Sequence, residues 1–147
     1  FSKAFCHRNW KVSLAIPPNA IEAPNSLSNM EILTNPPGRS MIEQCDVYVT
    51  HGGSNSLLLA LFLGKPVVTV PGDSIERLDN AMVLANFGIA TILNSEVPTA
   101  SDIYESCKTA YNLKINNQGY YWQKKMQSEY PGSKGIIPII RRLTRNL

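Results

Sequence analysis

A histidine, two glycines and three small polar residues follow one another in His51-Gly52-Gly53-Ser54-Asn55-Ser56, after a β-rich run at residues 47–50 and before an apolar run at residues 57–63. A strand that ends in glycines and opens a helix gathers free backbone N–H groups in one place. That helix start carries partial positive charge, glycine lets an anion approach the backbone, and Ser54, Asn55 and Ser56 add side-chain donors. The chemistry on offer is anion binding, with phosphate the natural ligand. The plainer alternative is a tight turn in which Ser54 merely caps the helix. His51 stands at the carboxyl end of the expected strand, where open α/β sheets hold their ligands, and its imidazole can donate to a phosphate oxygen. No neighbouring acid or nucleophile prepares it for base catalysis, so phosphate binding is its expected role. His7 has no such context.

A second polar segment, residues 71–80, carries Asp73, Glu76, Arg77, Asp79 and Asn80 and follows the apolar run at 67–70, so it reaches the same sheet edge. Carboxylates and amides there suit sugar hydroxyls, while the plainer alternative is an acidic helix start favoured by the macrodipole. Asp73 and Glu76 without a histidine partner do not make a metal site, and no metal is expected. Cys6, Cys45 and Cys107 are odd in number and lack a CxxC spacing. They point to reduced, mostly buried thiols rather than a disulfide framework or a zinc site.

The elements that must position these residues alternate along the chain. Strands are expected at residues 12–16, 30–33, 47–50, 67–70 and 89–93, and helices at 39–44, 54–63, 76–87, 99–111, 119–130 and 136–143, with a loop at 19–29. The run at 57–63 is apolar on every side, which implies burial between layers, and Gly64 with Pro66 ends it. Thr99 followed by Asp102 has the form of a capping box. The pattern implies an α/β fold: a Rossmann-like parallel sheet with helices on both faces.

Composition narrows the function classes. With 147 residues, 44% of them hydrophobic, and a net charge of +3, the chain is one ordinary domain. Its basic residues are scattered, and the pairs Lys124-Lys125 and Arg141-Arg142 read as solvated helix faces, so nucleic acid is not an expected partner. The longest apolar run falls far short of the roughly 20 residues of a membrane helix. The chain begins with Phe1, without a signal-peptide pattern, and is expected to be a fragment.

The run from Asp46 through His51-Gly-Gly-Ser-Asn-Ser56, with Ala60-Leu61, Gly64-Lys65-Pro66, Val70-Pro71 and Asp79-Asn80-Ala81, resembles the donor-binding half of a two-domain GT-B glycosyltransferase of the UDP-glucuronosyl and macrolide glycosyltransferase family. The resemblance is strongest over residues 37–93. It implies that His51, Gly53, Ser54, Asn55 and Ser56 hold the donor diphosphate, and that the acidic-Gln pair that holds the transferred sugar falls on Glu76 and Arg77. It also implies that residues 1–147 are a partial C-terminal nucleotide-sugar donor domain. The family's first C-domain strand and its N-terminal acceptor domain, which supplies the catalytic base, would precede Phe1. No catalytic residue is therefore expected within the chain, and no cofactor beyond the UDP-sugar donor.

Three positions depart from the family pattern. Asn35 and Gly38 flank the prolines where the family has a base-stacking tryptophan and a glutamine, and Leu59 replaces the glutamate that holds the ribose. The function implied for the whole protein is transfer of a hexosyl or uronosyl group from a UDP-sugar to a small lipophilic acceptor. The alternatives are a non-catalytic nucleotide-sugar-binding subunit or a degenerate scaffold, either one needing a separate acceptor-binding partner. The location implied is cytoplasmic, or membrane-associated through an anchor after Leu147.

Overall fold

Val67, Val68 and Thr69 are each fully buried, so the strand they form is covered on both faces. The computed structural model describes residues 2–6, 9–16, 28–34, 38–95, 97–115 and 117–129. In chain order these form α1 (Ser2–Phe5), β1 (Val12–Ile16), β2 (Met30–Thr34), α2 (Gly38–Gln44), β3 (Tyr48–Thr50), α3 (Ser54–Phe62), β4 (Val67–Thr69), α4 (Ile75–Asn86), β5 (Ala90–Ile92), α5 (Ala100–Ile115) and α6 (Gln118–Glu129). The strands and the helix starts fall close to the expected positions. The short α1 was not expected, and α5 runs to Ile115 rather than Tyr111. The expected helix at 136–143 and most of the loop at 19–29 lie outside the described residues.

All strand pairs are parallel, in two sheets: β1 with β2, and β3-β4-β5. In the larger sheet Tyr48, Val67 and Ala90 lie side by side, and β4 is central. Successive β4 side chains point to opposite faces. Val67 joins a cluster with Ile42, Leu57, Ala60, Leu61, Leu84 and Ile89, which places α2, α3 and α4 on one face. Val68 joins Ala4, Phe5, Ile103, Cys107 and Ala110, which places α1 and α5 on the other. Helices on both faces of a parallel sheet make this a Rossmann-like α/β half.

Helix ends are closed by local chemistry. Both α3 and α4 end in Schellman motifs: Gly64 N–H donates to Leu61 O and Lys65 N–H to Ala60 O, and Gly88 and Ile89 donate to Ala85 O and Leu84 O. Lys65 Nζ donates to the carbonyls of Glu43 at 2.7 Å and Cys45 at 2.9 Å, setting a cation at the end of α2. The capping box forms as expected, with Thr99 N–H on Asp102 Oδ2 at 2.9 Å and Asp102 N–H on Thr99 Oγ1 at 3.2 Å. Those Thr99 hydrogen bonds hold the Asp102 carboxyl below the usual range. Of the cysteines only Cys107 is fully buried, and burial pushes its thiol up to about 11. Cys6 and Cys45 are half-buried, so the expectation of mostly buried thiols is met in full only at Cys107.

The apolar α3 is not enclosed all round. Leu57, Ala60 and Leu61 are buried, but Leu58 is 53% exposed, because α4 and α6 flank the helix without closing over its outer stripe. α6 is bound to the end of α3 by polar contacts: Gln123 Nε2 donates to Leu63 O at 3.2 Å and Gln127 Nε2 to Phe62 O at 3.3 Å. Trp122 stacks on Phe87 with ring centroids 4.0 Å apart and donates its indole N–H to Phe87 O at 3.0 Å. The backbones of Gly64 and Gly119 meet so closely that a Cβ on Gly119 would collide with the Gly64 carbonyl oxygen. Gly119→Ala should therefore cost about 1–3 kcal/mol, the range for overpacking a tight contact, read as a lower denaturant midpoint in the protein that carries this chain. An unchanged midpoint would show that α6 can shift freely away from α3.

Candidate functional site

Parallel pairing sends the carboxyl ends of β3 and β4 to one sheet edge, and the turns that leave them open α3 and α4 there. The two helix starts are finished differently. α4 has Ser74 at its N-cap, and the Ser74 hydroxyl accepts from Arg77 N–H at 3.4 Å. α3 has Gly53 at its N-cap and no side-chain cap; its first intrahelical bond runs from Leu57 N–H to Gly53 O at 3.1 Å. The N–H groups of Ser54, Asn55 and Ser56 precede that bond and lack a capping side chain. Ser54 is thus the first residue of the helix rather than its cap, which removes the plainer explanation of the Ser-Asn-Ser run.

An open concavity of about 360 Å³ lies at this edge, lined by His51, Gly53, Ser54, Asn55, Ser56, Glu76 and Arg77. The structure therefore brings together the seven residues that the family resemblance assigns to the diphosphate and the sugar. The His51 ring folds over the turn: a Cβ on Gly53 would lie 3.0 Å from His51 Nε2. His51, Ser54, Asn55, Glu76 and Arg77 are all exposed, so their polar groups are open to a ligand. Among the described residues Arg77 forms no ion pair, which leaves its guanidinium available. The balance of His51, Arg77 and an uncapped helix start against the single carboxylate of Glu76 suits an anion.

Other residues named from the sequence go elsewhere. Asp73 and Asp79 are exposed and do not line the concavity, and Asn80 turns its amide to the Gly52 carbonyl at 3.5 Å. Gly52 was not among the expected site residues, yet it shapes the turn. It is buried at φ +92°, and a Cβ there would stand 3.0 Å from the Arg77 carbonyl oxygen. The sequence signal for it was the adjacent pair Gly52-Gly53, where one glycine alone would have allowed close approach. Leu59 packs half-buried against the α3 core cluster, Gly38 opens α2, and Asn35 lies outside the described residues. Among the described residues no three His, Cys, Asp or Glu side chains gather as metal ligands, and no helix is long and apolar enough to cross a membrane.

The model of the glycosyltransferase family 28 C-terminal domain matches residues 24–136. The chain is 29% identical over 108 residues to the NDP-glycosyltransferase YjiC of Bacillus subtilis (strain 168), covering 71% of this chain and 27% of that protein. It is 34% identical over 67 residues to the UDP-glucuronosyltransferase 2B13 of Oryctolagus cuniculus, covering 44% of this chain and 12% of that protein. The chain thus spans well under a third of the curated relatives it matches. In fold, it aligns with the calicheamicin glycosyltransferase CalG4 at a TM-score of 0.82 and 21% identity, over 98% of this chain and 38% of that one. The spinosyn forosaminyltransferase SpnP aligns at a TM-score of 0.74 and 20% identity, over 89% and 35%. These likenesses identify the architecture as one half of a GT-B fold.

The two glycines of the turn should respond differently to a methyl group. Gly53→Ala meets only the tip of an exposed imidazole, so it should move the His51 ring proton signals without lowering the unfolding midpoint. Gly52→Ala meets backbone at a left-handed φ and should cost at least about 1 kcal/mol. Equal behaviour of the two variants in thermal melts and proton spectra would contradict this geometry.

Proposed function

The chain belongs to the glycosyltransferase family 28 C-terminal domain family, and from that premise we propose that it binds the diphosphate of a UDP-sugar at the open start of α3. The observation that carries the reading is the uncapped helix start, sharing one concavity with His51 and Arg77 while the neighbouring start of α4 is capped by Ser74. The N–H groups of Ser54 to Ser56, their side chains and the His51 imidazole donate to the diphosphate oxygens. When the glycosidic bond to the diphosphate breaks, the bonding pair leaves with the diphosphate, and fixed donors stabilise the added charge without a metal ion. Glu76 accepts from a hydroxyl of the transferred sugar. Arg77 presents a fork of donors that fits a carboxylate, which favours a uronic-acid donor over a neutral hexose.

In the whole protein the transfer goes from this UDP-sugar to a small lipophilic acceptor, whose oxygen is activated by a base in an N-terminal acceptor domain or a separate acceptor-binding subunit. A preceding strand would pair between β1 and β3. Among the described residues each has one unpaired edge, and Val12, Val47 and Val49 pack against one shared cluster. A donor-binding scaffold without transfer is a second reading, supported by Leu59, an apolar residue packed against the core at the position that the resemblance gives to the ribose-holding glutamate. UDP binding without turnover of any donor would favour it.

His51→Ala in the full-length protein should weaken UDP binding by about 1–3 kcal/mol in calorimetry, the range for a hydrogen bond to a charged group. Unchanged affinity would remove His51 from the site. Arg77→Gln should lower the preference for UDP-glucuronate over UDP-glucose in competition assays. A donor ratio that does not move would leave Arg77 without a part in reading the sugar.

A further inference from the structure

Gly52 ties the turn before α3 to the first turns of α4 at two points. Its carbonyl oxygen accepts from Asn80 Nδ2 at 3.5 Å, and its Cα packs against the Arg77 carbonyl so closely that a Cβ would stand 3.0 Å from that oxygen. Asn80 is half-buried and does not line the concavity, so its amide serves the turn rather than the ligand space. The Gly52–Gly53 peptide is trans, and in a planar trans peptide the C=O and N–H point in opposite directions. Drawing the Gly52 carbonyl toward α4 therefore turns the Gly53 N–H away from it. A flip of this peptide would exchange the two groups and set a carbonyl oxygen, with its partial negative charge, beside the open start of α3. Gly52 at φ +92° and Gly53 both lack a Cβ, so local sterics resist such a flip weakly, and a tertiary contact has to decide the orientation.

We infer that Asn80 is a positioning residue: its amide holds the Gly52 carbonyl against α4, so that the Gly53 N–H rather than a carbonyl oxygen faces the bound anion. This rests on the diphosphate reading of the site. It also gives Asn80 a different role from its sequence neighbours Glu76 and Arg77, which line the concavity directly.

The experiment titrates UDP into the full-length protein labelled with carbonyl-13C,15N-glycine, which selects peptides between adjacent glycines; Gly52-Gly53 is the only such pair in residues 1–147. Asn80→Asp keeps the side-chain shape but replaces the donor with an acceptor that repels the carbonyl. It should weaken UDP binding about tenfold, and it should move the Gly52–Gly53 signal of the free protein while leaving cooperative melting intact. Asn80→Ala, which removes the donor without adding charge, should move the same signal with a smaller loss of affinity, and it serves if the aspartate variant does not fold. Wild-type affinity and an unmoved signal in the folded variants would overturn the role of Asn80, while a weakening by His51→Ala would leave the diphosphate reading standing. A wild-type protein that binds no UDP would overturn both.

Discussion

Parallel pairing of β3, β4 and β5 is the constraint on which the rest depends. A parallel neighbour is reached only by crossing back over the sheet, so each strand here is followed by a helix that begins at the same edge. The crossing helices α3 and α4 cover one face and α1 with α5 the other, which is why Val67, Val68 and Thr69 are sealed from solvent. The same rule delivers two helix starts to one place, one capped by Ser74 and the other uncapped. Site geometry here is a by-product of sheet topology.

The two ends of α3 are treated in opposite ways. At its C-terminus the carbonyls of residues 59–63 all have partners: Leu63 N–H on Leu59, the Schellman bonds on Ala60 and Leu61, and Gln127 and Gln123 on Phe62 and Leu63. At its N-terminus no side chain caps it. A helix anchored at one end and unsatisfied at the other holds its free donors rigidly, which a ligand can use without ordering anything first. α6 contributes nothing to the concavity itself, yet through Gln123, Gln127 and the Gly64–Gly119 contact it fixes the element that does.

Glycine has two uses in the turn. Gly53 leaves room for the His51 ring beside the helix start, while Gly52 adopts the left-handed backbone that α4 packs against. The first adjusts the ligand space and the second fixes the scaffold. Leu59 belongs to the scaffold too: on α3 it fills the core side, so what it offers is packing rather than hydrogen bonds.

The sequence by itself determined most of the elements, because β-rich runs, apolar periodicity and glycine stops are local signals. The strand at 47–50, the glycine turn, and the stops at Gly64 and Gly88 were all legible without coordinates. It also put the His51–Ser56 turn and residues 71–80 at one sheet edge, since adjacent parallel strands must discharge their loops together. That rule did not separate Glu76 and Arg77, which line the concavity, from Asp73, Asp79 and Asn80, which do not. Only the tertiary structure decided how they meet. That Ser54 lies inside the helix and Gly53 caps it depends on backbone angles that a Ser-Asn-Ser run permits in either register. That Asn80 faces Gly52, 28 residues away, depends on how α4 packs beside the turn, and no local pattern encodes that distance. The exposure of Leu58 has the same origin: an apolar run specifies a helix that prefers burial, but the positions of α4 and α6 decide which side is covered. Local conformation is written in neighbouring residues, whereas side-chain partners are set by the packing of elements far apart in the chain.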